Sequence, residues 1–191
     1  MMRTKVLMTA AIAMLFVTGC VFAAVKTGDA GPDYKAKGID GKDYVHLDLT
    51  HLGKVEVAGP GALALLQGVV TNDVAAVAVG EAQYNLVLND GGGVIEDLIV
   101  YRLEPARYFV VPNASNTNRV LQILADAETP EQVHLMYHQD WCFLAVQGPD
   151  APAVIEQVFP EAADLAFMRC AESAFRRRPV IVTRSGYTGE I

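Results

Sequence analysis

Two adjacent carboxylates, Glu96 and Asp97, interrupt an otherwise apolar run from Val94 to Val100 that directly follows Asn89-Asp90-Gly91-Gly92-Gly93. A carboxylate held in a dry place can take or give a proton and can stabilise positive charge developing on a neighbouring carbon. The run has the composition of a β-strand, and the stretch before it has the Asn, Asp and Gly residues that accept the positive φ angles of a tight turn. Strand side chains alternate between faces, so Asp97 shares its face with Ile95 and Ile99 while Glu96 shares the other with Val94, Leu98 and Val100. On a sheet covered on both sides, one of these acids lies among apolar groups and needs a proton, an ion pair or hydrogen bonds. On a one-sided sheet the charged side chain is solvated. The stretch alone leaves both arrangements open.

The elements that would hold this pair in place follow from pattern. Gln83 to Leu88, Val94 to Leu103 and Arg107 to Pro112 are strands joined by short turns, which defines an antiparallel meander. Ser115 is placed to cap a helix from Asn116 to Ala127, whose Val120, Leu121 and Leu124 make one apolar side. Lys54 to Val57, Gln132 to Met136, Trp141 to Val146 and Val180 to Thr183 are further strands, and Ala163 to Ala174 reads as helical in part. Arg176-Arg177-Arg178-Pro179 is a basic turn, either solvated or a docking patch for an acidic partner.

A strand, a Gly-Pro turn and a helix occur twice. Val57, Gly59, Pro60, Ala62, Ala64 and Val69 recur 89 residues later as Val146, Gly148, Pro149, Ala151, Ala153 and Val158, the mark of an internal duplication. The expected fold class is therefore α+β, an antiparallel β-meander with packed helices and a duplicated strand-GlyPro-helix unit.

The 191 residues, 52% of them hydrophobic, suffice for a substantial core. A net charge of −7 gives no basic face for phosphates, which argues against nucleic acid as a partner. Cys20, Cys142 and Cys170 make neither a CxxC pair nor a zinc spacing, so no metal site is expected. Arg3 and Lys5 precede an uncharged run from Val6 to Val25, the order of an export signal, so residues 1–25 read as a signal-like or membrane-directing segment. Val17-Thr18-Gly19-Cys20 is similar to the lipobox of bacterial lipoproteins, which would make Cys20 a lipid-bearing anchor and associate the chain with a membrane. An uncleaved membrane helix, or an apolar segment joined by a fusion or a misread start, are the alternatives. Residues 26–44, with Gly28, Gly31, Pro32, Gly38 and Gly41, read as a linker, and 45–191 as the folded domain.

Seven motifs then stand in a familiar order: Thr50-His51-Leu52-Gly53-Lys54-Val55-Glu56-Val57, Thr71-Asn72-Asp73, Ala82-Gln83-Tyr84, Gly92-Gly93-Val94-Ile95-Glu96-Asp97-Leu98-Ile99-Val100-Tyr101, Val111-Pro112-Asn113-Ala114, Leu144-Ala145-Val146-Gln147-Gly148-Pro149 and Arg184-Ser185-Gly186-Tyr187-Thr188-Gly189-Glu190. Over residues 45–190 the chain resembles the aminomethyltransferase family, the T-protein of the glycine cleavage system.

The resemblance implies a folate-binding domain that takes an aminomethyl group from a lipoyl-bearing H-protein-like carrier and passes it to tetrahydrofolate with release of ammonia. It implies Asp97 as the key acid, with Tyr84, Asn113 and Tyr187 as folate contacts and Leu52 lining the aromatic section. Glu96 stands where the family more often has Asp, and reads as a tolerated neighbour. The family pattern begins with a region packed around the folate site, and runs on beyond Gly-Tyr-Thr-Gly-Glu with a further acid, a basic folate contact and a C-terminal barrel, so a partial domain is expected here. A folate-binding module without transferase activity, or a folate-dependent demethylase-type module, are the alternative functions. The cysteine-containing motif of the related tRNA-modifying and iron–sulfur maintenance proteins does not occur at Arg184 to Gly189. No flavin fingerprint precedes the domain.

Overall fold

A computed structural model describes residues 52–129, 131–141, 143–146 and 151–185, together with three strands at 13–16, 34–37 and 43–48. The order of elements is β1 (Ala13–Phe16), β2 (Tyr34–Lys37), β3 (Asp43–Asp48), β4 (Val55–Ala58), α1 (Ala62–Val69), β5 (Ala82–Leu88), β6 (Val94–Glu104), β7 (Arg107–Pro112), α2 (Thr117–Asp126), β8 (His134–Tyr137), β9 (Phe143–Ala145), α3 (Ala151–Val158), β10 (Arg169–Phe175) and β11 (Arg178–Arg184). The expected α+β class holds. Strands β5, β6 and β7 form the antiparallel meander and continue through β4 to β8 as a five-stranded sheet. A second sheet runs β10-β11-β1-β9-β3-β2. Within it Ala13–Phe16, inside the segment read as a leader, pairs in parallel with β9 and β11, and Tyr34–Lys37, inside the segment read as a linker, pairs with β3.

Period-two alternation divides β6 between two cores. Its Leu98 and Val100 join Val55, Val57, Tyr108 and Val110 against α1 and α2, which contribute Leu65, Leu66, Val120 and Leu124. Its Tyr101 and Leu103 join Phe109 and Val111 on the opposite face, against Phe143, Ile155, Phe159 and Val180 to Val182 of the second sheet and α3. The five-stranded sheet is thus covered on both sides over most of its length, and helices form only where an apolar stripe has a sheet to lie on.

The duplication is visible in the register of the helices. α1 begins at Ala62 and α3 at Ala151, each has 8 residues, and buried Ala62 and Leu66 correspond to buried Ala151 and Ile155 at the same spacing of 89. α1 follows β4 of the five-stranded sheet and joins the core on that sheet's outer face, whereas α3 follows β9 of the second sheet and joins the core between the two sheets.

Two local expectations are corrected. Ala163 to Ala174 is not helical: after a 3-10 turn at Pro160–Ala162 the chain enters β10, because pairing with β11 along its whole length outweighs the helix propensity of its alanines. The two-residue turn that joins these strands places Arg176 and Arg177 at φ of 48° and 66°. Ser115 does not cap α2. It lies in a 3-10 turn over Ala114–Asn116, and Asn116 stands at the N-cap with its side chain engaged elsewhere.

Arg107, on β7, binds Glu56 of β4, Glu104 of β6 and Glu172 of β10, and so ties the two sheets together. The His138 ring, stacked on Trp141 at 3.9 Å, faces the same Glu56 at 3.4 Å. The hydrogen bond from His138 holds the Glu56 carboxyl below the usual carboxylate range; burial opposes this and Arg107 reinforces it. A depressed carboxyl contributes stability that is present above the unfolded value, about 4.3, and is lost as pH falls through the folded value. The stability difference between the native chain and Glu56→Gln is therefore expected to shrink steadily below about pH 4.3, measured by urea unfolding from pH 7 to pH 3.

Among the described residues no helix is long and apolar enough to cross a membrane. Nor, among them, do three His, Cys, Asp or Glu side chains gather where they could hold a metal ion. Cys170 is a buried free thiol pushed up to about 12 by desolvation, so it remains protonated and inert near neutral pH.

Candidate functional site

Sheet register brings Leu52, Asn113 and Asp97 into one row. Leu98 pairs with Pro112 and Ile99 with Val111, so the next step sets Asn113 opposite Asp97, and an isolated antiparallel bridge sets Leu52 opposite Asn113. On the other side Asp97 pairs with Leu86, and Tyr84 lies one alternation away on the same face, within diagonal reach. This is the face that carries Tyr101 and Phe109 into the core between the sheets. At the Asp97 end that cover stops: Asp97 and Tyr84 are exposed, Asn113 is half-buried and Leu52 is buried at the margin of the core.

The exposed carboxylate is nevertheless held. The Tyr84 hydroxyl donates to Asp97 Oδ2 at 2.8 Å and the Asn113 amide donates to Asp97 Oδ1 at 3.3 Å. Its bond to Asp97 raises the Tyr84 phenol above its ordinary pKa, so Tyr84 remains a donor at physiological pH. Each carboxylate oxygen has a second lone pair, and Asp97 can accept further hydrogen bonds from a ligand lying on this face.

Glu96 is the buried member of the pair, at 3% exposure on the α2 side of the strand. Its Oε1 accepts from the Asn113 backbone N–H at 2.6 Å and from Asn113 Nδ2 at 2.8 Å, and its Oε2 accepts from Asn116 Nδ2. Asn116 also donates to the Ile95 carbonyl at 3.1 Å. Three donors thus satisfy a carboxylate that lies under the start of α2, and the two asparagines of the turn between β7 and α2 are fixed by it. Glu96, the neighbour of Asp97, thus fixes the turn between β7 and α2 from the opposite face of the strand. Glu96 and Asn116 went unrecognised as a unit from sequence. The available signal was the Asn113-Ala114-Ser115-Asn116 stretch, two amides three residues apart and an acid across the sheet to receive them.

The turn has little slack. Gly53 donates its N–H to the Pro112 carbonyl at 2.7 Å, and a Cβ there would overlap the Thr117 side chain and lie 2.8 Å from Pro112 Cγ. Gly53→Ala is expected to cost about 2 kcal/mol by overpacking, read as a lowered urea midpoint with unchanged slope. Behind the row, the buried Tyr101 hydroxyl meets Ser185 Oγ at 2.7 Å and ties β6 to the residue that follows β11. Tyr187 and Cys20, both singled out from sequence, lie outside the described residues.

The fold thus repeats a strand-helix unit on two sheets and sets one carboxylate, Asp97, in a row with Asn113 and Leu52 on one face. Residues 42–191 match the family model described as the GCVT N-terminal domain, and the chain belongs to that family. Among its relatives, an aminomethyltransferase of Parafrankia sp. is 47% identical over 145 residues, covering 75% of this chain and 39% of that protein. The aminomethyltransferase of Mycobacterium avium is 41% identical over 144 residues, with the same coverage of each. In structure, the glycine cleavage system aminomethyltransferase T of Bartonella henselae superposes with a TM-score of 0.67 at 31% identity, covering 76% of this chain and 39% of that one. The chain thus spans about 39% of the length of these relatives.

Proposed function

We propose that this domain binds tetrahydrofolate on the Asp97 face of the five-stranded sheet and serves aminomethyl transfer of the glycine cleavage type, receiving the one-carbon unit from a lipoyl-bearing carrier protein with release of ammonia. The observation that carries the proposal is the row of Leu52, Asn113 and Asp97 with Tyr84 beside it, four residues from four separate chain segments on one face. The residues suit the ligand: a reduced pteridine presents ring N–H and amino donors, and Asp97 is an exposed acceptor already oriented by two donors. Leu52 offers apolar surface at the margin of the row. Tetrahydrofolate supplies the nitrogen that takes up the one-carbon unit. Asp97 holds the proton-bearing edge of the ligand, and its charge favours positive character on a carbon brought next to it. Tyr84 keeps the carboxylate in one rotamer, and Tyr187 is proposed as a further contact.

Calorimetric titration of the intact chain with tetrahydrofolate tests this. Saturable one-to-one uptake is expected, and its absence would remove the proposal. Tyr84→Phe deletes only the donor to Asp97 from an exposed residue. It is expected to weaken uptake about tenfold, the worth of one hydrogen bond to a charged group, while stability stays within about 0.5 kcal/mol.

A further inference from the structure

We infer that Asn72 is a positioning residue: it grips the outer edge of β5 at the peptide that follows Tyr84, and so holds the Tyr84 hydroxyl on Asp97 for the ligand. Where it concerns the ligand, the inference rests on the folate-binding reading above. It gives a part to Thr71-Asn72-Asp73, a motif outside the row itself.

β5 is the end strand of the five-stranded sheet, and within it pairs with β6 alone. The outer edge of such a strand presents backbone N–H and C=O groups that the sheet does not pair, and it frays readily. Residues 70–72 close that edge. Val70 bridges Val87, the Thr71 N–H donates to the Leu86 carbonyl at 3.0 Å, and the Leu86 N–H donates to Thr71 Oγ1 at 3.1 Å. One step further along, a side chain takes over from the main chain: Asn72 Nδ2 donates to the Tyr84 carbonyl at 2.7 Å. The Asn72 N–H in turn donates to Asn85 Oδ1 at 3.0 Å. Asn85 is fully buried, and its own amide donates to the Gln83 carbonyl and to Gln83 Oε1. Asn72 therefore holds the peptide between Tyr84 and Asn85 twice, by its carbonyl and by the side chain beside it.

Tyr84 needs such a hold. It is 51% exposed, so packing gives its ring little orientation, and its hydroxyl must still meet Asp97 Oδ2 at 2.8 Å. Asp97 pairs with Leu86 and not with Tyr84, so the hydroxyl reaches the carboxylate only along the diagonal. It stands at the far end of the side chain, where a small rotation of the backbone becomes a displacement large enough to break a hydrogen bond. Fixing the peptide at Tyr84 fixes the direction in which that side chain leaves the strand. Asn72 thus acts on the carboxylate through Tyr84.

Two measurements on the intact chain test this. The first needs no ligand: NMR of protein isotope-labelled at the tyrosine ring carbons follows the titration of the Tyr84 phenol, identified as the signal that Tyr84→Phe removes. In the unsubstituted chain the bond to Asp97 raises its midpoint above the ordinary tyrosine value, about 10, and in Asn72→Ala the midpoint is expected to fall back toward that value. Alanine deletes the amide but keeps the main-chain N–H, and Asn72 is exposed, so the fold is expected to stand. If circular dichroism shows that it does not, Asn72→Leu takes its place. The second measurement is a double-mutant cycle of tetrahydrofolate dissociation constants. Asn72→Ala is expected to weaken uptake about fivefold in the unsubstituted chain, and by less than about twofold once Tyr84→Phe has removed the bond. An unmoved Tyr84 midpoint, or equal weakening in both backgrounds, shows an Asn72 that only completes the sheet edge and overturns the inference while the folate reading stands. If the unsubstituted chain takes up no tetrahydrofolate, the folate reading fails, and the titration alone decides whether Asn72 positions Tyr84.

Discussion

Glu96→Leu is expected to lower the stability of the domain by about 3 kcal/mol, although the substitution replaces a buried charge with an apolar group. The sign is set by what the carboxylate leaves behind. Three donors converge on it, the backbone N–H of Asn113 and the amides of Asn113 and Asn116, and none of them leaves with it. A buried donor without an acceptor costs roughly 1–3 kcal/mol, and the transfer gain from a buried leucine offsets only part of that sum. Glu96→Gln should cost less. Its amide oxygen keeps the two Asn113 bonds, while its nitrogen meets the Asn116 nitrogen, donor against donor. A melting point roughly 10 °C lower is expected for the leucine variant at about 2–4 °C per kcal/mol, and a shift of less than half that for the glutamine variant. Equal shifts in the two would mean that the clamp is not held by hydrogen bonds.

The second large effect is on binding and leaves folding untouched. Asp97→Asn is expected to weaken tetrahydrofolate uptake between about tenfold and a hundredfold, because a neutral amide forfeits the charge assistance and presents a donor to donors. Asp97 is exposed, so the stability should change by no more than about 0.5 kcal/mol. The two neighbours thus separate cleanly: Glu96 substitutions register mainly as lost stability, Asp97 substitutions mainly as lost affinity.

That division could not be read from the strand alone. Period-two alternation put the acids on opposite faces, but Ile95 and Ile99 on one side and Leu98 and Val100 on the other made the faces equally apolar. What distinguishes them is tertiary: α2 starts over Glu96, whereas the cover from the second sheet stops short of Asp97. The meander itself was legible, because Arg107–Pro112 and its two predecessors are bounded by unambiguous turns. Leu52, Asn113 and Asp97 were named one by one from family resemblance, and that they stand side by side is seen only in the sheet register.

The losses have a common cause. Ser115 satisfies every local rule for a helix cap, yet Asn116 takes the N-cap position because its amide is needed by Glu96, 20 residues away. Residues Arg169–Phe175 have no strong alternation of their own and become a strand because β11 pairs with all seven of them. Local pattern decides an element when no distant partner competes for it. At the site, distant partners compete everywhere.

The most direct measurement is an NMR titration of the isotope-labelled intact chain with tetrahydrofolate, following backbone and side-chain amides. Binding on the proposed face predicts shifts that centre on Leu52, Asn113 and Asp97 and reach Tyr84, with the Asn113 side-chain amide among the largest, and predicts that Asp97→Asn suppresses them at the same ligand concentration. Shifts centred elsewhere, on the α1 and α2 surface or at the β10–β11 turn, or no shifts under saturating ligand, would contradict it.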